Sequence, residues 1–123
     1  MAAYDQFGSR GGLTQQYDEQ QKLAVWNKAR AVHGYDSTKY RQDVAGAWIE
    51  WSKVSSTSNE LGLGWEIDHR KPTSKGGSDD LSNLEPLQWK NNRSKGDDYP
   101  NWASMVSSDG NLNVYRRQNW TSR

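Results

Sequence analysis

A chain of 123 residues has room for one domain, and with 33% hydrophobic residues and a mean hydropathy of -1.12 its core must be thin, so the seven Trp residues are expected to carry much of it. The absence of cysteine excludes disulfides, cysteine-based structural zinc and thiol catalysis together, and a net charge of +1 is too small to argue for nucleic acid by itself, so any electrostatic case must be local. No run approaches the roughly 18 apolar residues of a membrane span and no apolar signal-peptide core is present, which sets the expectation of a cytoplasmic protein with no membrane partner.

Residues 1–16, with Gly8, Gly11 and Gly12 among several Gln and Ser, have no apolar periodicity and read as a mobile tail; residues 17–123 read as a single domain. The spacing of Leu23, Val25, Trp26, Ala29 and Val32 predicts a helix over 17–32 with one apolar stripe. His33 beside Gly34 reads as a surface or helix-end residue. Asp36 and Ser37 can cap a short helix through Gln42, and 47–54 reads as a strand. That strand is expected to pair with a second over 65–69, giving cross-strand Trp packing. Base stacking on single-stranded nucleic acid is the functional alternative for these rings, and core packing is favoured because few other residues can build a core.

Trp65, Glu66, Ile67, Asp68 and His69 alternate with period two, as in a half-buried strand. Pro72 ends it. A polar loop with Gly76-Gly77 and Asp79-Asp80 follows, then an apolar run over 84–87 and a polar segment over 88–95 that can form two helical turns, with Gly96 as its cap. Residues 96–102 read as a turn-rich exit. Asp109-Gly110 is a hairpin turn, with a strand over 112–115 before Arg116 and Arg117.

The chemistry concentrates in 65–95. The Asp68 carboxylate is a hard oxygen ligand suited to Mg2+, and the Asn92 amide oxygen is a second; two protein ligands leave positions for water and phosphate oxygens. Asn91 competes with Asn92 for that role, since the two lie about 100° apart on a helix and only one can face the ion. His69 is the candidate general base, because an imidazole pKa of about 6.5 leaves it able to accept a proton near neutral pH. Neighbours on a regular strand face opposite ways, so Asp68 and His69 can share a site only if the strand bends or ends there. Asn83, where the loop re-enters ordered structure, can clamp backbone groups on both sides and so aim His69. Lys95, three residues beyond Asn92, can reach phosphate; Arg70, Lys71, Lys75, Lys90 and Arg93 are further candidates for nucleic-acid contact.

These residues resemble the HNH endonucleases: Glu66-Ile67-Asp68-His69, Pro72, Gly76-Gly77, Asn83-Leu84, Pro86-Leu87, Asn91-Asn92 and Lys95-Gly96-Asp97, with fourteen positions from His69 to Asn83 and nine from Asn83 to Asn92. The resemblance covers a motif core over 65–97 and implies an α+β fold with a ββα-metal core, flanked by N-terminal helices and an extra β-hairpin. It implies general base for His69, metal ligation for Asp68 and Asn92, and a structural role for Asn83. Asn in the third position favours Mg2+, with Mn2+ or another divalent ion as alternatives, and the substrate implied is DNA, duplex or single-stranded. The four-cysteine zinc knuckle of many members is missing, so packing must hold the fold, and Arg70 stands where an aliphatic residue is common. Small stand-alone bacterial and phage members are similar beyond the core. A catalytically weak nucleic-acid-binding module and a nuclease toxin domain are the alternatives.

Overall fold

The computed structural model describes residues 17–122, so the tail expected over 1–16 lies outside the described residues. Helix α1 spans Glu19–Trp26 and starts at a capping box: the Asp18 carboxylate accepts from Gln21 N at 2.8 Å while Gln21 Oε1 accepts from Asp18 N at 3.0 Å. It stops well short of residue 32 because Arg30 is taken into an antiparallel bridge with Gln42, exchanging bonds of 2.8 and 2.9 Å. Val25 and Trp26 are its buried residues, Ala29 is buried just beyond its end, and Leu23 stays half exposed.

The short helix expected over 36–42 is absent. Asp36 caps only one turn, accepting from Thr38 N and Oγ1, and the chain then enters strand β1, Tyr40–Gln42. β1 pairs antiparallel with β2, Trp48–Glu50, with Arg41 opposite Ile49. The strand expected over 47–54 is therefore cut to three residues, and Trp51–Lys53 is a 3-10 turn. The hairpin expected between 47–54 and 65–69 does not form either: among the described residues the only bridge between the two is a parallel one, Val54 to Trp65, although the Trp51 and Trp65 rings do meet.

Strand β3, Trp65–His69, pairs instead with β4, Leu84–Gln88, in a register that sets Asp68 opposite Glu85 and His69 opposite Leu84. All five β3 residues are buried, more than a half-buried strand would show. Helix α2, Trp89–Lys95, follows β4 at once, and Gln88 caps it by accepting from the amides of Lys90 and Asn91. Gly96 ends it with a positive φ of 52°. Strand β5, Asn101–Asp109, begins inside the stretch read as a turn-rich exit, and it turns at Gly110 into β6, Leu112–Thr121. The mixture of helix and small antiparallel sheets is α+β, and among the described residues one α-helix, in place of the several helices expected, precedes the strands.

Tryptophan does supply the core. The rings of Trp26, Trp51 and Trp65 meet pairwise at 5.4–5.9 Å, and Val25, Ala29, Ile49, Ile67 and Leu84 fill around them. Aromatic pairs of this kind add about 0.5–1.5 kcal/mol beyond their area burial. Six of the seven indole N–H groups donate to a protein oxygen, so the rings enter the interior with few unpaired donors.

A polar knot joins the separate sheets. Asp43 is buried and accepts four bonds: Ala45 N and Ala47 N close the turn between β1 and β2, while Gln88 N and Asn91 Nδ2 bind the start of α2. Asn91 in turn donates to Val106 O and accepts from Met105 N and Val106 N, two amides freed by the irregularity in β5 between Ser104 and Val106. Burial pushes the Asp43 carboxyl up to about 6, against the pull of its four donors. The folded state therefore binds the proton more tightly than an unfolded aspartate does, so this group's contribution is full below pH 4 and falls away as pH rises through about 6. Asp43→Ala should lower stability by about 2–4 kcal/mol by stranding buried donors. The wild-type margin over the variant should narrow, by up to roughly 3 kcal/mol, between pH 4 and pH 7 in urea titrations; a margin that widens would contradict the assignment.

Candidate active site

β3 ends at His69, and that ending answers the alternation problem. Asp68 and His69 are both buried, and together with Asn92 of α2 they line one cavity of about 170 Å3, closed on another side by Pro72 and Thr73. Asn91 points elsewhere, with its amide spent on Asp43 and the backbone of β5.

Two carboxylates on β3 organise this wall. Glu66 accepts from Asn92 Nδ2 at 2.9 Å and from Arg93 through Nε at 3.2 Å and Nη2 at 2.8 Å. A carboxylate only accepts, so this contact fixes the Asn92 nitrogen on the Glu66 side and leaves Oδ1 as the other end of the amide. Asp68 faces Lys95, whose ammonium lies 3.1 Å from Oδ2 and 3.4 Å from Oδ1 and also donates to the carbonyls of His69 and Arg70. The approach to Oδ2 is an ion contact outside hydrogen-bonding angles, and Oδ2 remains a buried acceptor without a hydrogen bond. Burial raises the Asp68 carboxyl well above the usual carboxylate range; a hydrogen bond with Glu85 acts the same way, and the Lys95 charge opposes both.

His69 Nε2 lies 2.6 Å from Asp79 Oδ1, a largely exposed carboxylate on the loop. Since that oxygen accepts, the ring proton belongs on Nε2, and Nδ1 carries the lone pair. The loop itself is held by Asn83. Its Oδ1 accepts from Lys71 N at 2.9 Å, its Nδ2 donates to Lys71 O and Ser78 O, and its own carbonyl accepts from Arg70 N at 2.7 Å. Gly77 lets the strands of the loop close: a Cβ there would stand 1.7 Å from Lys71 O.

The expected basic contacts separate into groups. Lys71 and Lys75 are exposed on the loop. Arg93, half exposed, is paired with Glu66 and lies over the Trp89 ring at 5.8 Å, and Lys90 is 3.4 Å from Glu60. Arg70 opens onto a different cavity. Lys95 corrects the expectation of a phosphate contact: its side chain is fully buried and its ammonium is directed at Asp68 and two carbonyls. Sequence reasoning passed over Glu66 and Asp79. The first carried a signal, since two acids two residues apart on a buried strand require cationic or amide partners; the second did not, because nothing distinguishes Asp79 from its neighbour Asp80.

Among the described residues no three His, Cys, Asp or Glu side chains gather as a metal-binding group. The oxygen donors on this cavity are the Asp68 carboxylate, whose Oδ2 has no hydrogen bond, and the Asn92 amide. That sparse, hard-oxygen set fits a hard divalent ion that keeps several waters and takes only one or two protein ligands.

Residues 53–98 match the family model described as HNH endonuclease, a span that runs from the 3-10 turn after β2 through α2. No curated protein matches the chain, and no solved structure does.

Asn83→Ala removes three side-chain bonds from the loop and should cost about 1–3 kcal/mol. The Lys71 amide should then exchange with solvent at least roughly tenfold faster, consistent with the loss of about one hydrogen bond's worth of protection. Unchanged exchange at Lys71 would show that the clamp does not hold the loop.

Proposed function

We propose, from the match of residues 53–98 to the HNH endonuclease family model, that this chain is a metal-dependent endonuclease of that family hydrolysing DNA phosphodiester bonds, with β3, β4 and α2 as a ββα-metal core. The observation that carries this reading is the single cavity shared by Asp68, His69 and Asn92. Asp68 Oδ2 and Asn92 Oδ1 would hold the divalent ion, Mg2+ by their chemistry, and when bound it neutralises charge on the phosphate and the departing oxygen.

The protein's own groups do the rest. His69 takes a proton from the attacking water at Nδ1, while Asp79 accepts from Nε2 and so holds the tautomer and orients the ring. The water oxygen bonds to phosphorus as the bond to O3′ breaks; O3′ takes a proton from solvent, leaving 5′-phosphate and 3′-hydroxyl ends. Asn83 keeps the loop from drifting, and Glu66 presents the Asn92 amide with its oxygen toward the cavity. Arg70, Lys71, Lys75, Lys90 and Arg93 supply contacts to the DNA backbone, and Lys95 acts indirectly, by holding Asp68 in place.

A second reading has one observation in its favour: Lys95 already neutralises Asp68. A module of this fold that binds DNA and cleaves it poorly would show the same pair. Plasmid nicking separates the two readings. The wild type should nick in Mg2+ and stop in EDTA, and His69→Ala should be slower by about 100- to 10,000-fold. Binding without nicking would favour the module, and equal nicking by wild type and His69→Ala would take His69 out of the mechanism.

Asp79→Ala should lower the turnover about tenfold, as expected for one lost orienting hydrogen bond, with little change in KM. Asp79→Asn retains an accepting oxygen and should recover most of that rate. An Asn variant as slow as the Ala variant would mean that Asp79 acts through its charge and not by orienting the ring.

A further inference from the structure

A larger cavity, of about 470 Å3, lies beside the first. Its walls are the exit of α1, where Lys28 and Arg30 stand, the turn after β1, and the start of β4 at Leu84 and Glu85, with Arg70 at its edge. Arg70 follows His69 directly, so one peptide step of about 3.8 Å leads from one cavity to the other. Leu84, the cross-strand partner of His69, lines this larger cavity and so brings its wall to the strand end that carries His69. The two cavities flank the end of β3.

The charges in this cleft are unequally matched. The Lys28 ammonium is held from within, donating to the carbonyls of Leu81 and Leu84. Burial lowers its pKa, the nearby Arg70 charge lowers it further, and Glu85 opposes. The Arg30 and Arg70 guanidiniums have neither a carboxylate nor a carbonyl partner among the described residues; Arg30 bonds only through its backbone. Of the acids, Asp43 is occupied, with two donors on each oxygen, and Glu85 lines the cleft as one carboxylate against the three cations Lys28, Arg30 and Arg70. Two free planar forks above a fixed ammonium suit a phosphate, which accepts bidentate bonds from arginine. No aromatic ring lines the cleft, so nothing there can stack on a base.

We propose that this cleft is a flanking subsite that holds a backbone phosphate of the same DNA strand whose neighbouring phosphate sits at His69. The proposal rests on the endonuclease reading and deepens it: grip in the cleft is independent of sequence and fixes how the strand passes the cutting site.

Arg30 carries the test, because its side chain is exposed and makes no bond that holds the fold. Binding of a fluorescent duplex to the full chain is followed by anisotropy in EDTA at several salt concentrations, for wild type, Arg30→Gln and Arg30→Lys, alongside wild-type nicking in Mg2+. Arg30→Gln should bind about three- to tenfold more weakly and lose about one from the slope of log affinity against log salt, and Arg30→Lys should keep the slope. A methylphosphonate at the flanking position should weaken the wild type and leave Arg30→Gln unmoved. Wild-type nicking with an Arg30→Gln variant of equal affinity and slope would overturn the subsite alone. A wild type that neither binds nor nicks DNA would overturn the endonuclease reading and the subsite with it.

Discussion

Glu66 and Asp68 stand two residues apart on a strand whose every residue is buried, and each reaches α2: Glu66 to Asn92 and Arg93, Asp68 to Lys95. A carboxylate taken out of water costs several kcal/mol unless charge and hydrogen bonds replace its solvation, so strand and helix are stable only in the one register that pairs these groups. That register also sets the site. It carries Asp68 and Asn92 to the same cavity, and Lys95, reaching past Asp68 to the carbonyls of His69 and Arg70, ties down the point where the strand stops. The electrostatic lock between β3 and α2 and the placement of the reactive groups are one arrangement.

The rest of the chain is built to hold that unit with little apolar material. Three indoles form the interior on one side, and on the other Asp43 and Asn91 knit the β1–β2 turn, the head of α2 and the bulged part of β5 through buried hydrogen bonds. A network of this type is stabilising only when complete, since each lost member leaves a buried donor or acceptor unpaired. The thin core predicted from composition is thus balanced by polar closure, a solution that composition alone does not reveal.

Local patterns were legible in the sequence and partnerships were not. The alternation in 65–69, the polar two-turn helix after 84–87 and the Asp109-Gly110 turn depend on residues within a few positions, and each corresponds to an observed element. Strand pairing depends on distant competition: 47–54 has aromatic residues suited to either neighbour, but Trp51 N bonds to Lys39 O and Glu50 pairs with Tyr40, so β2 goes to β1 and leaves β3 for β4. The candidate site was legible as residue types at a spacing. That Asp68, His69 and Asn92 share a cavity, that Asp79 reaches the imidazole and that Lys95 turns inward are facts of tertiary placement, for which the spacing holds no information.

A net charge of +1 also acquires a different meaning once the acids are located. Glu66 and Asp68 are inside and paired with cations, Asp43 is inside and held by four N–H donors, and Glu60 is engaged by Lys90 and by the Tyr115 hydroxyl. Arg30, Arg70, Lys71 and Lys75, around the end of β3 and its loop, have no carboxylate partner among the described residues. Charges buried in pairs contribute little field outside, whereas unpaired cations at the surface act on anything within about a Debye length, roughly 8 Å at physiological salt. The unpaired cations near His69 therefore act, alongside the exposed Asp79 carboxylate, only at the range that matters for a phosphate in contact, while the molecule as a whole exerts almost no long-range pull. Attraction would be short in reach, steep in salt dependence and confined to the strand already lying across the site.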